Sequence, residues 1–241
     1  MEPTSNQFSA IERVSDGFRA YLTKVYNFMA AGLVVSGLSA YAATKEPLLS
    51  MLYTISATGG VTYSVLGWIV LLAPLLMIFM IGSQLNKLNV SAAQGLFWLF
   101  SALMGLSMSN IFLLYSGESI VRTFLVSAGS FAALSFYGSS TKRDLSAFGR
   151  FLYQGLIGLI LVALVNLFMK SSGVSFLISV VGVFLFAGLT AYDTQKLKMM
   201  YSESDSVEVR EAKAISGALA LYLDFINLFM YLLSFLGNRK N

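Results

Sequence analysis

The sequence predicts an all-α, polytopic membrane protein, a seven-transmembrane-helix bundle, on three observations. Of its 241 residues, 56% are hydrophobic and only 12% charged, against about 25% charged in an ordinary soluble domain. The mean hydropathy is +0.72. The apolar residues come in unbroken runs of roughly 20, the length of a bilayer-crossing helix, and not in the ten-residue alternating segments of a membrane barrel. Within lipid every backbone N–H and C=O must find a partner inside the protein, and helices meet that demand for such runs.

In chain order, residues 1–24 are a polar tail of mixed charge, lacking the short apolar core and cleavage site of a secretory signal, so the first apolar run stays in the protein. The spans are expected at 25–43, 62–82, 94–115, 119–138, 148–169, 174–193 and 216–236. The stretch 48–55 is apolar but too short to cross. Ser101, Gly105 and Ser109 in the third span, and Ala128 with Ala132 and Gly129 with Ala133 in the fourth, have the spacing that lets helix backbones approach closely. Asn110, Asn166 and Asn227 are expected to make interhelical hydrogen bonds. Three regions result: the tail 1–24, the transmembrane domain 25–237 and a short C-terminal tail 238–241.

The chain has no cysteine and no histidine, which excludes disulfides, thiolate zinc sites, haem on histidine and a histidine proton relay. The net charge of +4 is not read as a nucleic-acid signal, because the basic residues sit in short loops beside apolar runs. There they report topology. With the N-terminus cytoplasmic, only Lys45, Arg122, Lys170, Arg239 and Lys240 of the 16 lysines and arginines fall outside. The positive-inside rule therefore favours N-in, C-out. A last helix that re-entered would put the C-terminus inside instead.

Two acids stand out. Asp224 is the single formal charge in the last apolar run, SGALALYLDFINLFMYLLSFLG at 216–237. A carboxyl so deep costs a few kcal/mol unless it faces a partner or a water-filled cavity. Asp193 ends the sixth span, in GLTAYDTQKLK at 188–198. A short connection makes these two helices antiparallel neighbours. If the sixth helix continues to about residue 200, both carboxyls reach one depth. Gly217, Asp224, Asn227, Tyr231 and Ser234 form one helical stripe, and Thr190 and Asp193 share a face with Gly182 and Phe186. Thr190, Asn227 and Tyr231 are the expected supporting polar residues. Taken alone, Asp193 could simply pair with Lys196 one turn on.

Two carboxyls in contact cannot both ionise cheaply, so the pair releases its protons in two steps. Sharing one proton, they pin the helices together. Fully ionised, they repel one another and attract a hard cation such as Ca²⁺, for which Asp193 and Asp224 would be transient contacts. Such a pair is a pH-sensitive gate. An intramembrane aspartyl protease is the competing use of two such acids. Tyr192–Asp193 matches half of the presenilin pattern, but Leu221, Tyr222 and Leu223 stand where its GxGD glycines should. The chain is therefore expected not to be an enzyme, and no cofactor is expected.

TAYDTQKLK at 190–198, LYLDFINLF at 221–229 and TKRDLS at 141–146 resemble the Bax inhibitor-1 family (transmembrane BAX inhibitor motif proteins), on its bacterial side. The resemblance implies a seven-helix bundle with the last helix in the middle. It also implies a pH-sensitive calcium leak channel whose proton sensor is Asp193 with Asp224, with Ca²⁺ as the permeant ion. Some relatives add an arginine near the inner end of the second helix that latches to the sixth-helix aspartate. This chain reads IGSQLNK at 81–87, with Lys87 the nearest cation. A bacterial type would sit in the inner (plasma) membrane, with lipid, protons and Ca²⁺ as its partners. The alternative is a membrane-embedded regulator that binds a membrane AAA protease or another complex without ion flux.

Overall fold

The computed structural model describes residues 5–55, 61–84 and 89–240. These form helices α1 (Ser5–Ala42), α2 (Leu48–Leu52), α3 (Val65–Gln84), α4 (Val90–Ser107), α5 (Asn110–Leu114), α6 (Gly117–Ser140), α7 (Ser146–Met169), α8 (Ser172–Met200) and α9 (Val207–Leu236). Strands β1 (Tyr53–Ile55) and β2 (Val61–Tyr63) pair antiparallel. The short apolar stretch at 48–55 thus becomes α2 and β1.

Side-chain caps start four of the helices. Asn89, Ser116, Ser171 and Ser206 each accept a hydrogen bond from the backbone N–H three residues on. These caps satisfy donors that the helix leaves unpaired. Among the described residues, six helices are long and apolar enough to cross a bilayer, α4 being counted together with α5. α3 corresponds to the expected second span, and its described apolar stretch is Val65–Ile78. Residues such as Phe168, 88% exposed, and Phe136 and Phe184, both 73% exposed, lie on the outside of the bundle. That distribution suits a surface solvated by lipid.

Some helices run past the ends of their hydropathy runs, whereas the start of the expected second span falls in β2 and its helix begins at Val65. α1 begins at Ser5, so its helix includes most of the expected polar tail. α8 runs to Met200 and α9 starts at Val207. Hydropathy marks where a helix leaves lipid, whereas a helix ends only at a cap or breaker. The third expected span is one α-helix to Ser107 and then α5. At the break, Ser107 and Ser109 turn their hydroxyls back onto the carbonyls of Met104 and Leu106.

α9 packs against α1, α4, α6 and α8, whereas the one extensive neighbour of α7 is α8. α1 and α4 run side by side in the same direction: Phe97 lies against Gly32, and Ser36 Oγ donates to the Ser101 carbonyl at 2.7 Å. Gly105 backs onto the Ser36 backbone where a Cβ would collide, so the third-span small residues do mediate close approach. The fourth span uses a different face. Gly129, Ala132 and Ala133 are exposed, and the packed face is Thr123, Ser127, Phe131, Ser135 and Gly138. On the packed face Gly138 seats directly on the Ala191 backbone.

α1 and α9 start at the same end, joined by the Lys24–Glu211 ion pair and by Tyr21 Oη donating to the Lys213 carbonyl at 3.5 Å. At the other end, Lys240 N–H donates to the Leu114 carbonyl at 2.8 Å and Ser116 N–H to Asn238 at 3.2 Å. The chain after α9 is therefore tied to the α5–α6 junction, so α9 runs the length of the bundle and does not turn back.

A buried carboxyl pair as the candidate functional site

The polar stripe of α9 meets α8 along its whole length. From one end to the other, Gly217 receives the Leu197 side chain, Asp224 meets Asp193, and Tyr231 stacks on Phe186 with centroids 5.7 Å apart. Ser179 then donates to Ser234 at 2.9 Å. This antiparallel register follows from the short 201–206 connection and from the extension of α8 to Met200.

The two carboxyls lie beside each other across the α8–α9 seam. Asp193 is 6% exposed and Asp224 5%, so neither points at the lipid. Among the described residues no hydrogen-bond partner reaches the buried Oδ2 of Asp224. Two acceptor-only carboxylates cannot bond to one another, so a direct bond across the pair calls for a shared proton. Asp193 has a further donor: Tyr153 Oη, from α7, lies 3.2 Å from both Oδ1 and Oδ2. Among the described residues the ion pairs are Lys24–Glu211 and Lys213–Asp205; Lys196 is exposed and does not pair with Asp193. Lys87, and the segment considered for a latch on it, lies outside the described residues with placed side chains.

The residues after Asp193 fix its position. Thr194 Oγ1 meets Ser135 Oγ at 2.9 Å, and Ser135 in turn meets Tyr26 Oη at 2.6 Å, a chain from α8 through α6 to α1. Gln195 clamps the 141–145 loop, accepting from Leu145 N–H and donating to the Arg143 carbonyl, both at 2.8 Å. In that loop Asp144 accepts from Ser146, whose side chain and backbone hold its carboxyl below the usual carboxylate range. The motifs at 141–146 and 190–198 are thus two halves of one contact.

The expected supporting residues are arranged differently from the acids. Thr190 Oγ1 donates to the Phe186 carbonyl at 2.7 Å and Asn227 Nδ2 to the Leu223 carbonyl at 2.8 Å, each within its own helix. Tyr231 contributes its ring. Asn166 bonds to Ser175 across the α7–α8 turn, at 2.8 Å. Sequence reasoning missed Tyr153, Thr194 and Gln195. Polarity inside or beside apolar spans was the available signal, and it does not tell which neighbour a residue meets.

Among the described residues no three acidic side chains gather into a metal cage; the pair is an open two-carboxyl contact. Beyond it, a cavity of about 100 Å³ lies between α1, α4, α6 and α9. Phe225, Ile226 and Phe229 form its α9 wall, and Ser36 is its single polar side chain.

The family described as Inhibitor of apoptosis-promoting Bax1 matches residues 18–241. An uncharacterized protein of Rickettsia prowazekii is 44% identical over 227 residues, covering 94% of this chain and 92% of the relative. Inner membrane protein YbhL of Escherichia coli is 42% identical over 227 residues, covering 93% and 94%. A protein of Caulobacter vibrioides is 42% identical over 229 residues, covering 94% and 92%. With its set of apolar helices and a match over nearly its whole length, this chain is a multi-pass membrane protein that belongs to the Bax inhibitor-1 family.

Proposed function

We propose that the protein is a pH-sensitive calcium leak channel gated by the protonation of Asp193 and Asp224, and not an enzyme. One observation carries this reading: two buried carboxyls face each other across antiparallel neighbouring helices of a membrane bundle. With one proton between them, α8 and α9 are held together and the path past Asp224 is shut. Loss of that proton replaces a hydrogen bond with repulsion between like charges and leaves two oxygens suited to a hard cation. Ca²⁺ is the cargo and touches the pair only in passing.

The bundle is read as seven spans with α9 at its centre. α1 and α4 lie parallel and adjacent, so the intervening chain must return to the starting end. α3, 20 residues long and so about 30 Å, supplies that return. The contacts of α9 with four helices support its central place. The basic end, with the 141–145 and 201–206 loops, is assigned to the cytoplasm by the positive-inside rule. The printed location of the Escherichia coli relative supports an inner-membrane setting.

The test is Ca²⁺ flux from liposomes between about pH 6 and 8, for the natural protein, Asp193→Asn and Asp224→Asn. Each substitution should abolish the pH dependence. Unchanged, pH-dependent flux in both would refute the gate. Absence of any flux, together with co-purification of a membrane AAA protease, would favour the regulator reading.

A further inference from the structure

Tyr153 lies seven residues into α7, about 10 Å along the helix. Its side is the outside of the bundle: the residue is 40% exposed. Yet its hydroxyl reaches both oxygens of Asp193. One side chain therefore spans from the exterior to the buried pair. α7 is held there by α8. The Tyr192 ring lies against Gly149, where a Cβ would collide, and packs edge-to-face on Tyr153 at 6.0 Å. Leu152 fills the space beside Gly188. Leu221 and Phe225, which flank Asp224 along α9, are both buried, and α6 brings Ser135 against Thr194.

We propose that Tyr153 is the door of the acid pair on the side of the α7 N-terminus, so that water and the cation, entering from that membrane surface, reach Asp193 and Asp224 past its ring between α7 and α8. The inference rests on the channel reading for its cation, but the door is a matter of access and is tested separately. The phenol is anchored by its hydroxyl on Asp193, and its ring blocks the gap. Removing the hydroxyl unlatches the door; removing the ring leaves it open. Tyr153 is a positioning residue, since its route to the cation is through Asp193.

The chain has no cysteine, so an introduced thiol is the only one to react. Asp224→Cys in nanodiscs is treated with the cationic reagent aminoethyl methanethiosulfonate. With Tyr153→Phe added, modification should quicken by about tenfold, the loss expected for one hydrogen bond to a charged group. With Tyr153→Ala it should quicken further. Ser36→Cys, buried elsewhere in the bundle, should react at the same rate in all three backgrounds, which separates a door from general loosening. An Asp224→Cys rate indifferent to Tyr153, or a Ser36→Cys rate rising in parallel, overturns the inference. If access opens as expected while Asp193→Asn and Asp224→Asn leave flux unchanged, the door stands and the channel reading falls. If flux obeys the acids and access ignores Tyr153, the reverse holds.

Discussion

Removing Asp193 and Asp224 by alanine, singly and together, measures how strongly the pair holds α8 to α9. A hydrogen bond between a carboxyl and a carboxylate is charge-assisted and worth about 1.5–3 kcal/mol, and an abandoned buried carboxyl costs about 1–3 kcal/mol. The two single changes should differ. Asp193→Ala leaves Asp224 alone, its buried Oδ2 without a hydrogen-bond partner among the described residues. Asp224→Ala leaves Asp193 still bonded to Tyr153. Asp193→Ala should therefore be the more destabilising, and the double variant should lose less than the sum of the singles by about 1.5–3 kcal/mol. Equilibrium unfolding in mixed detergent micelles reads all four corners of the cycle. A coupling below about 0.5 kcal/mol, or an Asp224→Ala cost exceeding that of Asp193→Ala, would show that the shared proton does not pin the helices.

Tyr222→Phe removes the 2.6 Å contact with Ser36 Oγ but keeps the ring between Phe97 and Phe100; it should cost about 1 kcal/mol in unfolding and leave the pH profile of flux in place. Gly138→Val forces a side chain against the Ala191 backbone, two residues from Asp193. It should destabilise by about 1–3 kcal/mol and, unlike Tyr222→Phe, shift the flux profile. Asp144 is fully exposed and its carboxyl is depressed by Ser146. Whatever stability it adds is present above the ordinary carboxylate range and is lost as pH falls through its lowered value, so the acid limb of a thermal-unfolding profile should flatten in Asp144→Asn. Fusions check orientation: a fluorescent protein that folds only in the cytoplasm should glow at the N-terminus, and alkaline phosphatase should be active at the C-terminus. The same reporter working at both ends contradicts an odd number of spans.

Asp193 and Asp224 were legible because a charge within or bordering an apolar run is costly enough to be conspicuous. The stripe from Gly217 to Ser234 was legible because it repeats with the helix. Tyr153 was not: in FLYQGLIGL at 151–159 it looks like any aromatic of a lipid-facing helix, and most of α7 is one. In the fourth span the small pairs Ala128–Ala132 and Gly129–Ala133 had the spacing for close approach, but nothing local told that the packed face would be Ser127, Phe131 and Ser135 instead. Gln195 follows the last apolar run of α8 with no local sign of its contacts, yet it is 7% exposed and clamps the 141–145 loop.

Hydropathy and helical period are properties of a single segment. They were sufficient for an all-helical membrane bundle, for most of its spans and for two acids in need of a partner. The meeting of Asp193 with Asp224, the phenol that closes over them and the tie between residues 114–116 and 238–240 depend on how segments far apart in the chain settle against one another. Packing among whole helices sets those contacts, because a side chain's partner lies on another segment that its own period does not describe.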